Sequence, residues 1–367
     1  MAAVAQRVEV PVQTVEASAF CVPTDAPESD GTLEWGSTTL VLVEISAGDE
    51  VGLGWTYTSA VAAQLVNETL GPLVAGRSAL DVGGATRAMR VALRNIGYPG
   101  LGAMAASAVD IAFWDLKAKL LELPLASLLG PVRDGVPVYG SGGFCSYSDE
   151  RLAEQLSGWV AEGIPRVKMK VGREPGRDVA RVRVAREAIG EDSALFVDAN
   201  GAFTAKDALD FADAFSHFGV SWFEEPVSSD DLDGLRIVRE RAPAGMDIAA
   251  GEYASTPADI RGLIGAVDCL QADVTRCGGV TGVLAAAALA EAHQLDLSGH
   301  TAPAIHSHVL SAIPRLRHLE WFHDHVRVER LLFDGLCEPH EGVISFDRSR
   351  PGLGIELKRA DAARYEA

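Results

Sequence analysis

Arg166-Val-Lys-Met-Lys-Val-Gly172, Leu195-Phe-Val-Asp-Ala-Asn-Gly201, Trp222-Phe-Glu-Glu-Pro226 and Ile248-Ala-Ala-Gly-Glu252 are four apolar runs, each ending in a charged residue or pair. From Lys170 to Asp198, Glu224 and Glu252 the steps are 28, 26 and 28 residues, the length of one strand-plus-helix unit. A period of one such unit places every charge at the same end of neighbouring parallel strands, so the side chains converge. Three carboxylates crowded together repel one another unless a cation sits between them. Strand-end oxygens of this kind suit a hard divalent ion such as Mg2+.

Outward from this stretch the same grammar continues. Apolar strands alternate with amphipathic helices at Arg151 to Glu162, Asp178 to Ile189, Ala205 to Phe218, Asp231 to Arg241, Pro257 to Ile264 and Gly282 to His293. An earlier strand at Val138 and later ones ending near Asp273, His300 and Glu320 bring the total to eight. A closed (β/α)8 TIM-type barrel over residues 134–335 is the economical arrangement. An open doubly wound sheet would carry a Gly-rich dinucleotide turn. The nearest candidate, Gly140-Ser141-Gly142-Gly143, has Cys145 where the third glycine belongs and no helix directly after it.

Before the barrel, Val8 to Phe20 and Ser37 to Ile45 read as two strands, and Ser59 to Glu122 turns helical, with Pro124 closing its strongest segment at Ala106 to Lys119. Residues 1–133 therefore form an α+β capping domain. The segment from Thr24 to Gly36 reads as a long lid loop, and Gly52-Leu-Gly-Trp-Thr-Tyr-Thr58 as a second loop; Trp35 and Trp55 are expected to cover a ligand. The tail, residues 336–367, reads as a short strand pair that returns to the cap.

Among 367 residues, 48% hydrophobic content describes a globular protein with a sizeable core, divided between one large and one smaller domain. The net charge of −19 argues against nucleic acid or an anionic membrane as partner. No run approaches ~18 uninterrupted apolar residues, so no membrane span is expected. Five scattered cysteines without a CxxC pair fit a reducing compartment, and the start lacks the pattern of a signal peptide. A cytoplasmic protein, assembled as a homo-oligomer and acting on a small-molecule carboxylate substrate, is the expectation.

Lys168 and Lys170 share one face of their strand, and two ammoniums buried side by side are expected to depress each other's pKa, making one a general base. Asp273 and His300 lie 27 residues apart, again one unit. On adjacent strands the carboxylate would fix the imidazole tautomer and leave the other ring nitrogen to move a proton. Glu320 ends the next strand and is placed to hydrogen-bond a substrate oxygen. Asn200 is expected beside the metal, Ser141 beside the metal or the substrate, and Glu225 on the pleat face opposite Glu224. His306/His308 and His323/His325 lack a spaced third ligand, which argues against zinc.

Taken together, Lys168-x-Lys170, Asp198, Glu224 of the Glu-Glu-Pro turn, Glu252, the Asp273/His300 pair and Glu320 resemble the enolase superfamily, and within it the mandelate racemase subgroup. The resemblance covers nearly the whole chain. It implies a metal that holds the substrate carboxylate and stabilises the enediolate formed when a base removes the α-proton. Lys170 would serve one face and His300 the other, with Lys168 neutralising the carboxylate and Glu320 hydrogen-bonded to it. The muconate-lactonizing and dipeptide-epimerase subgroups use a second lysine on the far strand. Lysines here stand only at 117, 119, 168, 170, 206 and 358, which favours the His-Asp type. Dehydration of an acid sugar is the preferred activity, on the polarity of Asp25, Glu28, Ser29, Asp30 and Thr32. The alternatives are a racemase or epimerase and a non-catalytic binder of sugar acids.

Overall fold

The structure, a computed structural model, describes residues 10–367. The expected first strand begins at Val8, outside the described residues. Three antiparallel strands open the chain: β1 (Thr14–Ser29), β2 (Glu34–Ala47) and β3 (Glu50–Tyr57), in that spatial order. The segment from Thr24 to Gly36 is thus no irregular loop but the far end of a hairpin. Glu28 pairs with Trp35 and Ser29 with Glu34 across a tight turn, beyond an irregularity between Pro23 and Glu28. Its prolines and acids read as turn residues, but β1 is an edge strand, where Pro costs no ladder hydrogen bond.

Helices then cover the sheet, the longest being the alanine-rich Leu101–Leu120. Its small side chains let it lie close to β3. Asp110 and Asp115 on it tie the parts together. Asp110 accepts from Thr86 Oγ1 at 2.7 Å and from Thr281 N and Oγ1 at 3.0 and 2.6 Å. Asp115 accepts from Leu53 N at 2.7 Å and Leu353 N at 2.6 Å.

The barrel strands are β4 (Val136–Gly142), β5 (Arg166–Lys170), β6 (Ala194–Asp198), β7 (Val220–Glu224), β8 (Asp247–Ala250), β9 (Cys269–Ala272), β10 (Asp296–Gly299) and β11 (Leu316–Phe322). They pair in parallel in chain order, and β11 pairs back onto β4, closing the ring. Helices between them start on side-chain caps written in the sequence, at Ser148, Thr204, Asp231 and Thr256. Inside, Tyr139, Phe196, Trp222 and His318 pack against one another and fill the barrel.

The tail departs from the expected strand pair. After β12 (Phe333–Asp334), β13 (Val343–Ile344) runs antiparallel on β4, while β14 (Glu356–Leu357) pairs with β12. The chain end reaches the cap, where Cys21 N donates to Tyr365 O at 2.7 Å and Ala367 N to Ala19 O at 3.0 Å. All five cysteines are free thiols. Among the described residues no helix is long and apolar enough to cross a membrane.

Candidate active site

Register explains the convergence of the charges. Lys170 is the partner of Asp198 across β5 and β6, and Asp198 of Glu224 across β6 and β7. Glu252 stands two residues past β8. Gly251 before it has φ +136°, and a Cβ there would lie 2.3 Å from the Gln271 carbonyl oxygen, so only glycine makes this turn. One carboxylate oxygen each from Asp198, Glu224 and Glu252 lies within 4.8 Å of the others.

Lys168 and Lys170 run into this group. Lys168 Nζ contacts Glu224 Oε1 and lies 2.8 Å from Glu320 Oε1; Lys170 Nζ is 2.5 Å from Asp198 Oδ2. Burial works to lower both ammonium pKa values, but the carboxylates outweigh it and hold both above the usual lysine range. The expected mutual depression is therefore corrected: each lysine answers to facing acids more than to its neighbour.

Opposite, one residue beyond the ends of β9 and β10, Asp273 Oδ2 lies 2.8 Å from His300 Nδ1. Asp273 Oδ1 accepts from Thr275 N and Oγ1, both at 2.7 Å, which fixes the carboxylate. His300 Nε2 is 3.1 Å from Glu252 Oε2 and 3.4 Å from Glu320 Oε2. Burial opposes charging this imidazole, yet Glu252, Glu320 and Asp273 lift its pKa to about 10.

Two buried acceptors here have no hydrogen-bond donor, Glu225 Oε1 and Asn200 Oδ1. Buried oxygens are costly to leave unpaired. Orphaned oxygens beside three clustered carboxylates are the donor set a hard divalent cation takes, so the residues fit Mg2+.

Lys170, Asn200, Glu252 and His300 line one wall of a cavity of about 430 Å³, and the hairpin tip and the end of β3 line the other. The tip is seated directly on the barrel. A Cβ on Gly31 would lie 2.3 Å from the Ala199 carbonyl oxygen and 2.7 Å from that of Val171. Cys145 N donates to Ser29 O at 2.8 Å and Ser146 Oγ to Pro27 O at 2.7 Å.

Residues 15–130 match the description "Mandelate racemase / muconate lactonizing enzyme, N-terminal domain", and residues 151–362 match "Enolase C-terminal domain-like". The chain belongs to the mandelate racemase/muconate lactonizing enzyme family. One family relative, the 3,6-anhydro-alpha-L-galactonate cycloisomerase of Streptomyces coelicolor, is 34% identical over 87% of this chain and 89% of its own length. A mandelate racemase/muconate lactonizing enzyme-like protein from Rubrobacter xylanophilus is 56% identical, with TM-score 0.96 over 97% of this chain and all of that one. L-talarate/galactarate dehydratase from Salmonella typhimurium LT2, liganded with Mg and L-lyxarohydroxamate, is 28% identical, with TM-score 0.90 over 99% and 94% of the two chains.

Within this family fold, most of the residues singled out in the sequence meet at one place, and some do not. Trp35 lines the cavity, its Nε1 donating to Glu28 Oε2 at 2.9 Å. Trp55 does not cover a ligand; it is fully buried and stacks on Phe333 with ring centroids 4.7 Å apart. Tyr57, two residues on and on the same pleat face, lines the cavity at the end of β3, while Trp55 is covered by Phe333. Ser141 donates to Glu320 Oε1 at 2.6 Å and so orients that carboxylate from outside the cavity wall. Glu225 is not turned away on an opposite pleat face. The pleat ends at Glu224, and φ +37° at Glu225 swings it inward, where burial and the nearby Glu252 and Asp198 push its carboxyl well above the usual range. Of the polar hairpin residues, Asp30 reaches the cavity wall. Sequence reasoning missed Arg276, which lies 3.2 Å from Glu252 Oε1 and 3.4 Å from Asp273 Oδ2. Its spacing of three from a strand-end Asp was the available signal.

Proposed function

We propose that this protein is a Mg2+-dependent enzyme that removes the α-proton of an acid sugar and eliminates the β-hydroxyl, giving a 2-keto-3-deoxy acid. The observation that carries the reading is that Lys170 and His300 line one cavity, with the Asp198, Glu224 and Glu252 carboxylates grouped beside them. Those three carboxylates would hold the ion. When bound, it supplies a Lewis acid that takes up negative charge as the α-proton leaves.

The remaining chemistry belongs to side chains. Lys168, fully buried against Glu224 and Glu320, supplies fixed positive charge near the substrate carboxylate. Lys170 Nζ, neutral once Asp198 is engaged by a bound ion and no longer holds its proton, would accept the α-proton on one side. His300 Nε2, free of the Asp273 bond made by Nδ1, delivers a proton to the departing β-hydroxyl, which leaves as water. The resulting enol then tautomerises to the ketone. Trp35 and the seated hairpin tip keep bulk water from the reacting carbon.

Kinship with a cycloisomerase and a dehydratase supports acid-sugar chemistry of this type. The test is incubation with a library of acid sugars and Mg2+ in heavy water. A 2-keto-3-deoxy product supports the proposal. An isomeric product would mean cycloisomerisation, and α-deuterium uptake without a new product would mean racemisation. Binding with none of these would leave only a binder and defeat the reading.

A further inference from the structure

The relatives named above include a galactonate-type and a galactarate-type enzyme, so kinship leaves open whether the substrate carries one carboxylate or two. Size does not decide it either, because a terminal carboxylate and a terminal hydroxymethyl group differ little in bulk. Charge at the far end of the cavity does.

Among the described residues, the lysines and arginines lining this cavity are Lys170 and Arg276. Both are committed to the carboxylate end, Lys170 on Asp198 and Arg276 on Glu252 and Asp273. The far wall, built by the hairpin, β3 and the helix His323–Leu332, includes Thr39, Ser59, His325 and Asp30. His325 lies flat on Tyr57 with ring centroids 3.5 Å apart, and burial keeps its imidazole neutral down to about pH 4. The arginines nearest the hairpin, Arg151, Arg173 and Arg327, pair with Asp25, Glu34 and Asp324 and do not line the cavity.

Asp30 is therefore the acidic side chain of the far wall. Its Oδ1 accepts from Thr32 N at 2.7 Å, Thr32 Oγ1 at 3.1 Å and Leu33 N at 2.7 Å, which pins the hairpin tip and leaves Oδ2 for a ligand. A second substrate carboxylate placed there would meet a like charge without a counter-ion, whereas a hydroxyl could donate to Oδ2.

We infer that the far half of the cavity selects acid sugars with a single carboxylate, aldonates rather than aldarates, with Asp30 as a residue that enforces the choice. This rests on the acid-sugar reading above. The experiment assays the full chain with Mg2+ on matched pairs such as gluconate with glucarate and galactonate with galactarate, following keto-acid formation. For whichever configuration reacts, kcat/KM for the aldonate should exceed that for its aldarate by at least about ten-fold, roughly 1.4 kcal/mol. A smaller ratio, or preference for the aldarate, overturns the inference and leaves the dehydratase reading standing. Product from neither class defeats that reading, and this inference falls with it. Asp30→Asn keeps an oxygen for the three tip hydrogen bonds and removes the charge. It should lower the aldonate-to-aldarate ratio at least about five-fold; an unchanged ratio in a variant with native circular dichroism overturns the role given to Asp30.

Discussion

His300 Nδ1 stands 2.8 Å from Asp273 Oδ2, each residue directly following the last residue of neighbouring strands β10 and β9. The carboxylate is held by Thr275 and flanked by Arg276, so the imidazole is fixed in plane and in tautomer. Replacing His300 with Ala should lower kcat on the order of 10³-fold. Asp273→Asn should act in the same direction with His300 still present, because the amide no longer dictates which nitrogen carries the proton. Circular dichroism should be unchanged in both. Full turnover in His300→Ala would remove the histidine from the mechanism.

Glu224 tests the metal assignment independently of turnover. Its Oε2 accepts from Trp222 Nε1 at 2.8 Å, a bond that Gln can keep. Glu224→Gln should therefore fold yet weaken Mg2+ binding by roughly 10²-fold or more in calorimetry. Retention of tight one-to-one binding would show that the cation is held elsewhere.

Gly31 is the point at which the hairpin meets the barrel mouth. A methyl group there would collide with the Ala199 and Val171 carbonyls, both backbone and unable to yield cheaply. Gly31→Ala should lift the tip, lower kcat/KM at least about ten-fold and speed proteolysis near Asp30, while Mg2+ binding stays intact. Wild-type kinetics in this variant would mean that the seated tip is irrelevant to catalysis.

These residues also mark how far the sequence could be read. Asp198, Glu224, Asp273 and His300 were legible because one-unit spacing and parallel register translate directly into a shared end of the barrel. The hairpin was not, because Pro23, Pro27 and the acids around them signal turns, and only the edge position of β1 lets them sit in a strand. Trp55 was misplaced because it shares a pleat face with Tyr57, and nothing in the sequence says that the cavity stops at Tyr57 while Phe333 covers Trp55. The lysine pKa direction was inverted because sequence spacing shows two adjacent cations but not the three acids facing Lys168 from β6, β7 and β11. Glu225 escaped for a different reason, a single positive φ at the end of β7.

Glu28 carries a prediction about pH. It is fully buried in the hairpin, with Trp35 Nε1 bonded to its Oε2 and no donor on its Oε1. Burial, then Asp324 and Asp25, raises its pKa from 4.5 to about 8, against the lowering effects of Trp35 and Arg327; Tyr147 also faces it. The folded protein thus keeps a proton here that the unfolded chain releases near 4.5. Between those values the native state binds more protons, so this group's contribution to stability is complete below about pH 4.5 and is lost as pH rises to about 8. Glu28→Gln keeps an acceptor for Trp35 and cannot ionise. Its melting temperature should match the wild type near pH 5 and exceed it by a few °C, on the order expected for one titrating group, at pH 9. Parallel melting curves across that range would mean that Glu28 ionises in the folded hairpin without cost.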